Sequence, residues 1–242
     1  MHLTTRNVHH MLNKRALFIL VALSTIFLLT AAMMPVHAAS VLVQQDNSGC
    51  LGCSSTLSVS FTNNVAGGDV VVVGIVVGGA SFALSSLTDS LGSSFNQAVT
   101  SNNTAPPIVY IYYATLTASG TEIVTATFTA AAPAQSIYIY EVSGVTTAGL
   151  AVAKGSGTGT AISTSSSVPF QTGAFLLGIV GTSSFTGSAT AGTDFTLSPG
   201  NSGTGGTYAQ YSTSDTMSAT SFQATINPAV SWVETGIALM PN

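Results

Sequence analysis

The chain has 242 residues, of which 46% are hydrophobic and only 5% are charged. This length can bury a sizeable core, and the high apolar content argues against disorder. A nucleic-acid-binding surface needs clustered lysine and arginine, which four basic residues in the whole chain do not supply, so no nucleic-acid partner is expected.

Residues 1–38 are predicted to be an export signal. Basic residues precede an apolar core at 16–32, and 36–38 (Val-His-Ala) fits the small-x-small cleavage rule. Cleavage after Ala38 would release a single domain of residues 39–242, whereas an uncleaved segment would be a membrane anchor. Every histidine and arginine precedes the cut, so the exported domain can form neither a Ser-His-Asp triad nor a histidine-ligated metal site. We therefore expect a secreted or cell-surface protein.

The central predicted strand is 70–77, a β-branched run closed by glycines at 67, 68, 78 and 79. The run does not alternate with polar residues, so both of its faces should be covered. Region 149–167 is rich in Gly, Ser and Thr, and we expect short edge strands there, with Lys154 protecting an edge. The other predicted strands are 39–45, 55–61, 94–100, 108–114, 122–129, 136–142, 174–180, 194–197, 208–213, 221–226 and 231–239.

No helical periodicity follows the signal segment. Many short strands separated by Gly, Asn and Ser turns predict an all-β fold. The expected architecture is a sandwich of two antiparallel sheets, jelly-roll-like or lectin-like, behind an N-terminal signal helix.

A series of short motifs runs through the whole of the exported domain. They are Gly67-Gly68-Asp69 leading into 70–73, then 87–92 (LTDSLG), 111–114 (IYYA), 124–128, 139–145 (IYEVSGV) and 231–233 (SWV). Their order resembles a widespread group of secreted bacterial and archaeal β-sandwich domains of uncharacterised function. The resemblance implies a sandwich fold and an extracellular setting, and it carries over no catalytic residue.

Cys50 and Cys53 form the one Cys-x-x-Cys pair of the chain. A thiolate zinc site needs four such ligands, and a redox dithiol of the thioredoxin type needs a following helix. A local disulfide is the favoured interpretation for an exported protein.

Glu141 and Glu234 lie inside apolar strands, where burial should raise the pKa of a carboxyl group. Two such groups facing each other across a cleft could hydrolyse a glycosidic bond. The favoured alternative is that each carboxylate hydrogen-bonds to backbone groups, which predicts a protein that is not an enzyme.

Asp89, with Asn96 nearby in sequence, is a weak candidate for a calcium site, because calcium prefers hard oxygen ligands. A single acid in a turn more often caps the turn, so neither a metal nor another cofactor is expected. Asn102 begins an Asn-Asn-Thr sequon and is a candidate for glycosylation.

Four tyrosines alternate with apolar residues on two predicted strands, namely Tyr110, Tyr112, Tyr138 and Tyr140. On paired strands they would form a ladder on one face. The ladder could stack on sugars or could simply pack within the sheet.

Three functions remain open at this point. The first is adhesion or binding, with a glycan or a surface protein as partner. The second is a structural subunit whose strand 39–45 completes the sheet of a neighbouring subunit. The third is a glycoside hydrolase that uses Glu141 and Glu234.

Overall fold

The computed structural model describes residues 39–242 apart from 53, 80, 102–106, 133, 185–186, 201–205 and 214–218. The predicted signal segment and its helix lie outside these residues. Sixteen strands and no helix occur in the described part, which confirms the all-β class. The strands are β1 (Val41–Leu51), β2 (Thr56–Ser60), β3 (Val70–Val77), β4 (Leu84–Asp89), β5 (Asn96–Thr100), β6 (Ile108–Thr115), β7 (Ile123–Phe128), β8 (Ala134–Ser143), β9 (Val145–Ser163), β10 (Val168–Pro169), β11 (Phe175–Thr182), β12 (Ser188–Ala191), β13 (Thr196–Leu197), β14 (Thr207–Ser212), β15 (Ala219–Thr220) and β16 (Gln223–Pro241).

Strand β3 forms the middle of a five-stranded antiparallel sheet, here called the central sheet. Its strand order is β1-β8-β3-β6-β5, and β1 and β5 are its outer strands. Val73, for example, lies between Tyr112 of β6 and Ile139 of β8. All eight residues of β3 are buried, as the nearly unbroken β-branched run predicts.

A second sheet, here called the small sheet, covers one face of the central sheet. It has the order β2-β7-β4. Val71, Val73 and Ile75 point toward it and share one apolar core with Val124 and Phe128 of β7. This face accounts for the alternating pattern of β2 and β7, whose other side chains face outward.

A third sheet, here called the large sheet, covers the opposite face. It has the order β12-β16-β11-β14-β13, and β9 also pairs with β16. Val72 and Val76 of β3 share a second core with Phe175 and Leu177 of β11. Gly74 lies at this contact, and a Cβ atom on it would be 2.5 Å from Cδ1 of Ile179. The two sheets therefore approach closely because residue 74 has no side chain.

The fold is thus a β-sandwich of antiparallel sheets, but the predicted two sheets are wrong, since separate sheets cover the two faces of the central sheet. The apolar run at 70–77 indicated two covered faces but not what covers each of them. The outer face of the large sheet carries a further core around Phe170, Leu176 and Phe222.

The largest departure from the predicted strands concerns β9 and β16. Region 149–167 was expected to hold short edge strands, yet β9 is one strand of 19 residues that pairs along β16. The predicted strands 221–226 and 231–239 are two halves of β16, joined across a bulge between Thr225 and Val230.

Candidate functional site

The four candidate tyrosines do not form one ladder. Both β6 and β8 pair with β3, so they are separated by it. Tyr110 belongs to the core under the small sheet and Tyr112 packs against it, whereas Tyr138 and Tyr140 belong to the core under the large sheet.

Tyr138 and Tyr140 are almost completely buried, and their hydroxyl groups connect the central and large sheets. The Tyr138 hydroxyl lies 2.8 Å from Thr207 Oγ1, and the Tyr140 hydroxyl lies 2.6 Å from Ser198 Oγ. Burial raises the pKa of Tyr138 to about 12 and raises the pKa of Tyr140 further. Stacking on an external sugar would require exposed rings, and of the four only Tyr112 is not buried.

Glu141 connects three parts of the chain at one end of the central sheet. Its side chain is 1% exposed. Oε1 accepts a hydrogen bond of 2.7 Å from the backbone N–H of Ala66, and Oε2 accepts one of 2.6 Å from Gln44 Nε2. Burial and the neighbouring Glu141 carboxylate raise the pKa of Asp69. Glu141 therefore hydrogen-bonds to a backbone group, as the favoured interpretation of the sequence predicts.

Glu234 lies in the large sheet, on the face that points away from the central sheet. Its Oε1 accepts a hydrogen bond of 3.1 Å from Gln210 Nε2, which also donates to the carbonyl of Gln223. Burial raises the pKa of Glu234 to about 8, and the Gln210 hydrogen bond partly opposes this. Glu141 faces the small sheet, so the central and large sheets lie between the two glutamates, and the structure does not bring them together across a cleft.

Asp89 has a partner that the sequence analysis missed. Asp89 ends β4, Glu122 immediately precedes β7, and their carboxyl groups are within hydrogen-bonding reach of each other. Burial and then Asp89 raise the pKa of Glu122 well above its usual range. Asp89 also caps its turn, since Oδ1 accepts a 2.7 Å hydrogen bond from the backbone N–H of Ser93. The available signal was alternation along the strand. Glu122 lies two residues before Val124, so it shares the inward face of β7 with Val124 and Ala126.

The predicted calcium site, disulfide and glycosylation can be compared with the structure more briefly. In the described part of the chain, no three His, Cys, Asp or Glu side chains are grouped closely enough to hold one metal ion together. Asn96 is exposed on β5 and pairs with Tyr113. Cys53 and Asn102 lie outside the described residues, so the disulfide with Cys50 and the glycosylation remain predictions.

A recess of about 280 Å³ opens beside β13 and β14. It is lined by Asp194, Thr196, Tyr211, Ser212 and Thr213. The Tyr211 ring stacks with the Phe175 ring, with ring centroids 6.5 Å apart and an angle of 20° between the planes. Asp194 has φ of 66°, a conformation that asparagine, aspartate and glycine adopt most readily. An aromatic ring, a carboxylate and three hydroxyl groups thus surround one recess.

A second groove, of about 500 Å³, lies between β5 and β9. Gln97 and Thr100 line one side, and Lys154, Ser165 and Ser166 line the other. Lys154 is the one basic residue after position 38. The groove combines amide and hydroxyl groups with an apolar floor that includes Val99 and Val152.

The chain matches no family model, no curated protein and no solved structure. The structure defines the class of protein as an all-β sandwich of antiparallel sheets. Membership of the secreted β-sandwich group remains a prediction. Within the described ranges, the chain forms no helix that is long and apolar enough to cross a membrane.

Proposed function

We propose that the protein is a non-catalytic binding protein of the cell exterior, lectin-like in its sandwich, and that a neutral saccharide occupies the recess at Asp194 and Tyr211. The composition of this recess is the observation that carries the proposal. A sugar ring has an apolar face that packs on an aromatic ring, and hydroxyl groups around its edge. Asp194 can accept hydrogen bonds from those hydroxyl groups, and the Thr196 and Thr213 hydroxyls can both donate and accept.

The recess also has features of a preformed site. Phe175 and Tyr140 pack against the Tyr211 ring, so binding would not have to order it. Asp194 keeps a backbone conformation that costs most side chains free energy, and such residues cluster at functional sites. Eight carboxylates against one lysine after position 38 favour a neutral over an anionic ligand.

Asp194→Asn should weaken binding of a neutral oligosaccharide about tenfold, because a charged acceptor is replaced while the backbone conformation is kept. The full-length protein is first screened on an array of neutral oligosaccharides, and the best ligand is then titrated by calorimetry. Asp194→Gly should lose as much affinity, whereas Asp46→Asn on the outer strand β1 serves as the control. Binding that is unchanged in both Asp194 variants, or no retention of any saccharide, would refute the proposal.

A second candidate function is assembly through β1, and the exposure of its apolar side chains favours it. Val41, Val43 and Leu51 are 54%, 49% and 67% exposed. The predicted donor strand 39–45 does not leave its own domain, since β1 pairs with β8 of the same chain. Its other edge is the outer edge of the central sheet and carries backbone groups on which a second copy could pair.

Val43→Lys tests this assembly, because a lysine on an edge strand opposes pairing with another strand. If β1 mediates association, light scattering of the wild type should show mass rising with concentration above the 24.4 kDa of the chain, and the variant should stay monomeric. Ile123→Lys is a matched control, since Ile123 is 42% exposed on β7, an inner strand of the small sheet. Equal association of both variants would argue against β1 as the interface.

A further inference from the structure

The groove between β5 and β9 is larger than the recess at Asp194, with a volume of about 500 Å³ against about 280 Å³. It lies where β5, an outer strand of the central sheet, faces β9 of the large sheet. Sites for small molecules have volumes in this range, and they combine an apolar lining with a few polar groups. The groove therefore has the size and the mixed lining of a ligand site, and its lining residues differ from those of the recess.

The floor of the groove contains an apolar side chain that the fold leaves uncovered. Val152 is 40% exposed, although it pairs with Ile237 of β16, which is fully buried. Ala98 and Val99 of β5 complete this apolar part of the lining. An apolar floor between hydroxyl-bearing walls suits a sugar ring, which has an apolar C–H face and hydroxyl groups around its edge.

The wall opposite β5 is fixed by hydrogen bonds. Thr164 Oγ1 donates to the carbonyl of Ser166 over 3.0 Å and accepts from the backbone N–H of Phe222 over 3.1 Å. Ser165 donates twice to the carbonyl of Lys154, from its backbone N–H over 3.0 Å and from its Oγ over 2.8 Å. Ser165 and Ser166 thus line the groove from a segment that ligand binding would not have to order.

Lys154 supplies a positive charge to this groove. A lysine on an edge strand can protect the edge from pairing, but the carbonyl of Lys154 is already bonded to Ser165, so the edge is covered there without the lysine side chain. None of the described residues that line the groove is an aspartate or a glutamate. Repulsion of an anion by more distant carboxylates is screened over about 8 Å at physiological salt. The groove is therefore locally positive in a domain that is otherwise acidic.

We propose that this groove binds an acidic saccharide, whose sugar rings carry carboxylate groups, with Lys154 as the cationic partner. A lysine ammonium group offers three donors and attracts a carboxylate as a point charge. The sugar hydroxyls would meet Ser165 and Ser166 on one side and the outer backbone edge of β5 on the other. An acidic peptide would offer the same charge but fewer hydroxyl groups to these walls. The site does not rest on the neutral-saccharide recess, and neither site requires the other.

Calorimetric titration of the full-length protein with trimers of galacturonate and of mannuronate tests the proposal. At least one trimer should bind at one saturable site, more weakly as NaCl is added, and its methyl ester should bind about fivefold more weakly than the acid. Lys154→Gln should weaken binding of the acid about fivefold, whereas Lys154→Arg should keep most of it. Val152→Asp, which puts a negative charge on the floor, should weaken binding at least as much. Ser60→Asp adds the same charge on the exposed face of β2 and should leave the affinity unchanged.

Four results would overturn the proposal. Neither trimer binds the wild type, or the methyl ester binds as tightly as the acid, so that charge is not recognised. Lys154→Gln and Val152→Asp bind no more weakly than Ser60→Asp, which would place the site elsewhere. A tripeptide of glutamate binds as tightly as the trimers, which would make the ligand a peptide. Val152 and Lys154 are exposed, so their variants should fold, and the Tm of each variant checks this.

Discussion

Replacing Glu141 with alanine is expected to reduce the free energy of unfolding by about 3 kcal/mol, because two charge-assisted hydrogen bonds are lost together. The backbone N–H of Ala66 and the Nε2 group of Gln44 would lose their shared acceptor. Relief of the repulsion from Asp69 would offset a small part of this loss. Urea denaturation at neutral pH measures the difference.

Glu141→Gln provides the control for size and shape. Its amide oxygen can still accept from Ala66, while its amide nitrogen meets the donor group of Gln44, so we expect about half of the alanine effect. Screening both variants for glycoside hydrolysis separates a structural from a catalytic role. A wild-type hydrolytic activity that disappears in Glu141→Gln without loss of stability would contradict our assignment of Glu141 as a structural residue.

Glu234 is expected to make the protein less stable as the pH rises from about 4.5 to about 8. In the folded protein the pKa of Glu234 is about 8, against 4.5 for an ordinary glutamate. Between these values the unfolded chain has released the proton and the folded chain still holds it, so stability falls with pH and levels off above pH 8. The contribution of one such group is about 1.4 kcal/mol per pH unit.

Glu234→Gln should remove this contribution, since the amide does not titrate and its oxygen can still accept from Gln210. The variant should therefore gain stability relative to the wild type as the pH rises, measured by urea denaturation between pH 5 and 9. Thr235→Val, a neutral change at the adjacent buried position, should run parallel to the wild type. Parallel curves for Glu234→Gln as well would show that Glu234 is ionised in the folded protein.

The sequence predicted the strands of the cores well because local patterns determine them. The β-branched run 70–77 and the apolar run 174–180 match β3 and β11 within about two residues at each end. The prediction of strands from the sequence failed at β9, because its Gly, Ser and Thr residues carry no apolar pattern. That strand is specified by its pairing along β16, which is information from elsewhere in the chain.

The tyrosines show why a site is harder to predict than a strand. The predicted alternation of tyrosines with apolar residues is correct within β6 and within β8. Tyr138 lies opposite Gly74 of β3, however, whereas Tyr110 lies opposite Ile75. Neighbouring residues of β3 face opposite sides, so this difference of one position sends the two tyrosines into different cores.

The same limit explains the residues that the sequence analysis missed. Glu122 could be placed on the inward face of its strand, but its approach to Asp89 depends on the pairing of β4 with β7. Tyr211 and Asp194 belong to no sequence pattern comparable to the alternating tyrosines of β6 and β8. They meet because β13, the strand that follows Asp194, pairs with β14 through Thr196 and Tyr211.

The composition of β3 has a consequence for how the chain folds. Because β3 is apolar on both faces, sliding it by one residue along β6 or β8 would replace buried valines with other valines, at little cost in hydrophobic burial. The native alignment must therefore be selected by positions that differ from valine. Gly74 leaves room for Ile179, and the hydroxyls of Tyr138 and Tyr140 reach partners in the large sheet. Gly74, Tyr138 and Tyr140 thus select the alignment of β3 with its neighbouring strands, which the apolar run alone leaves nearly degenerate in energy.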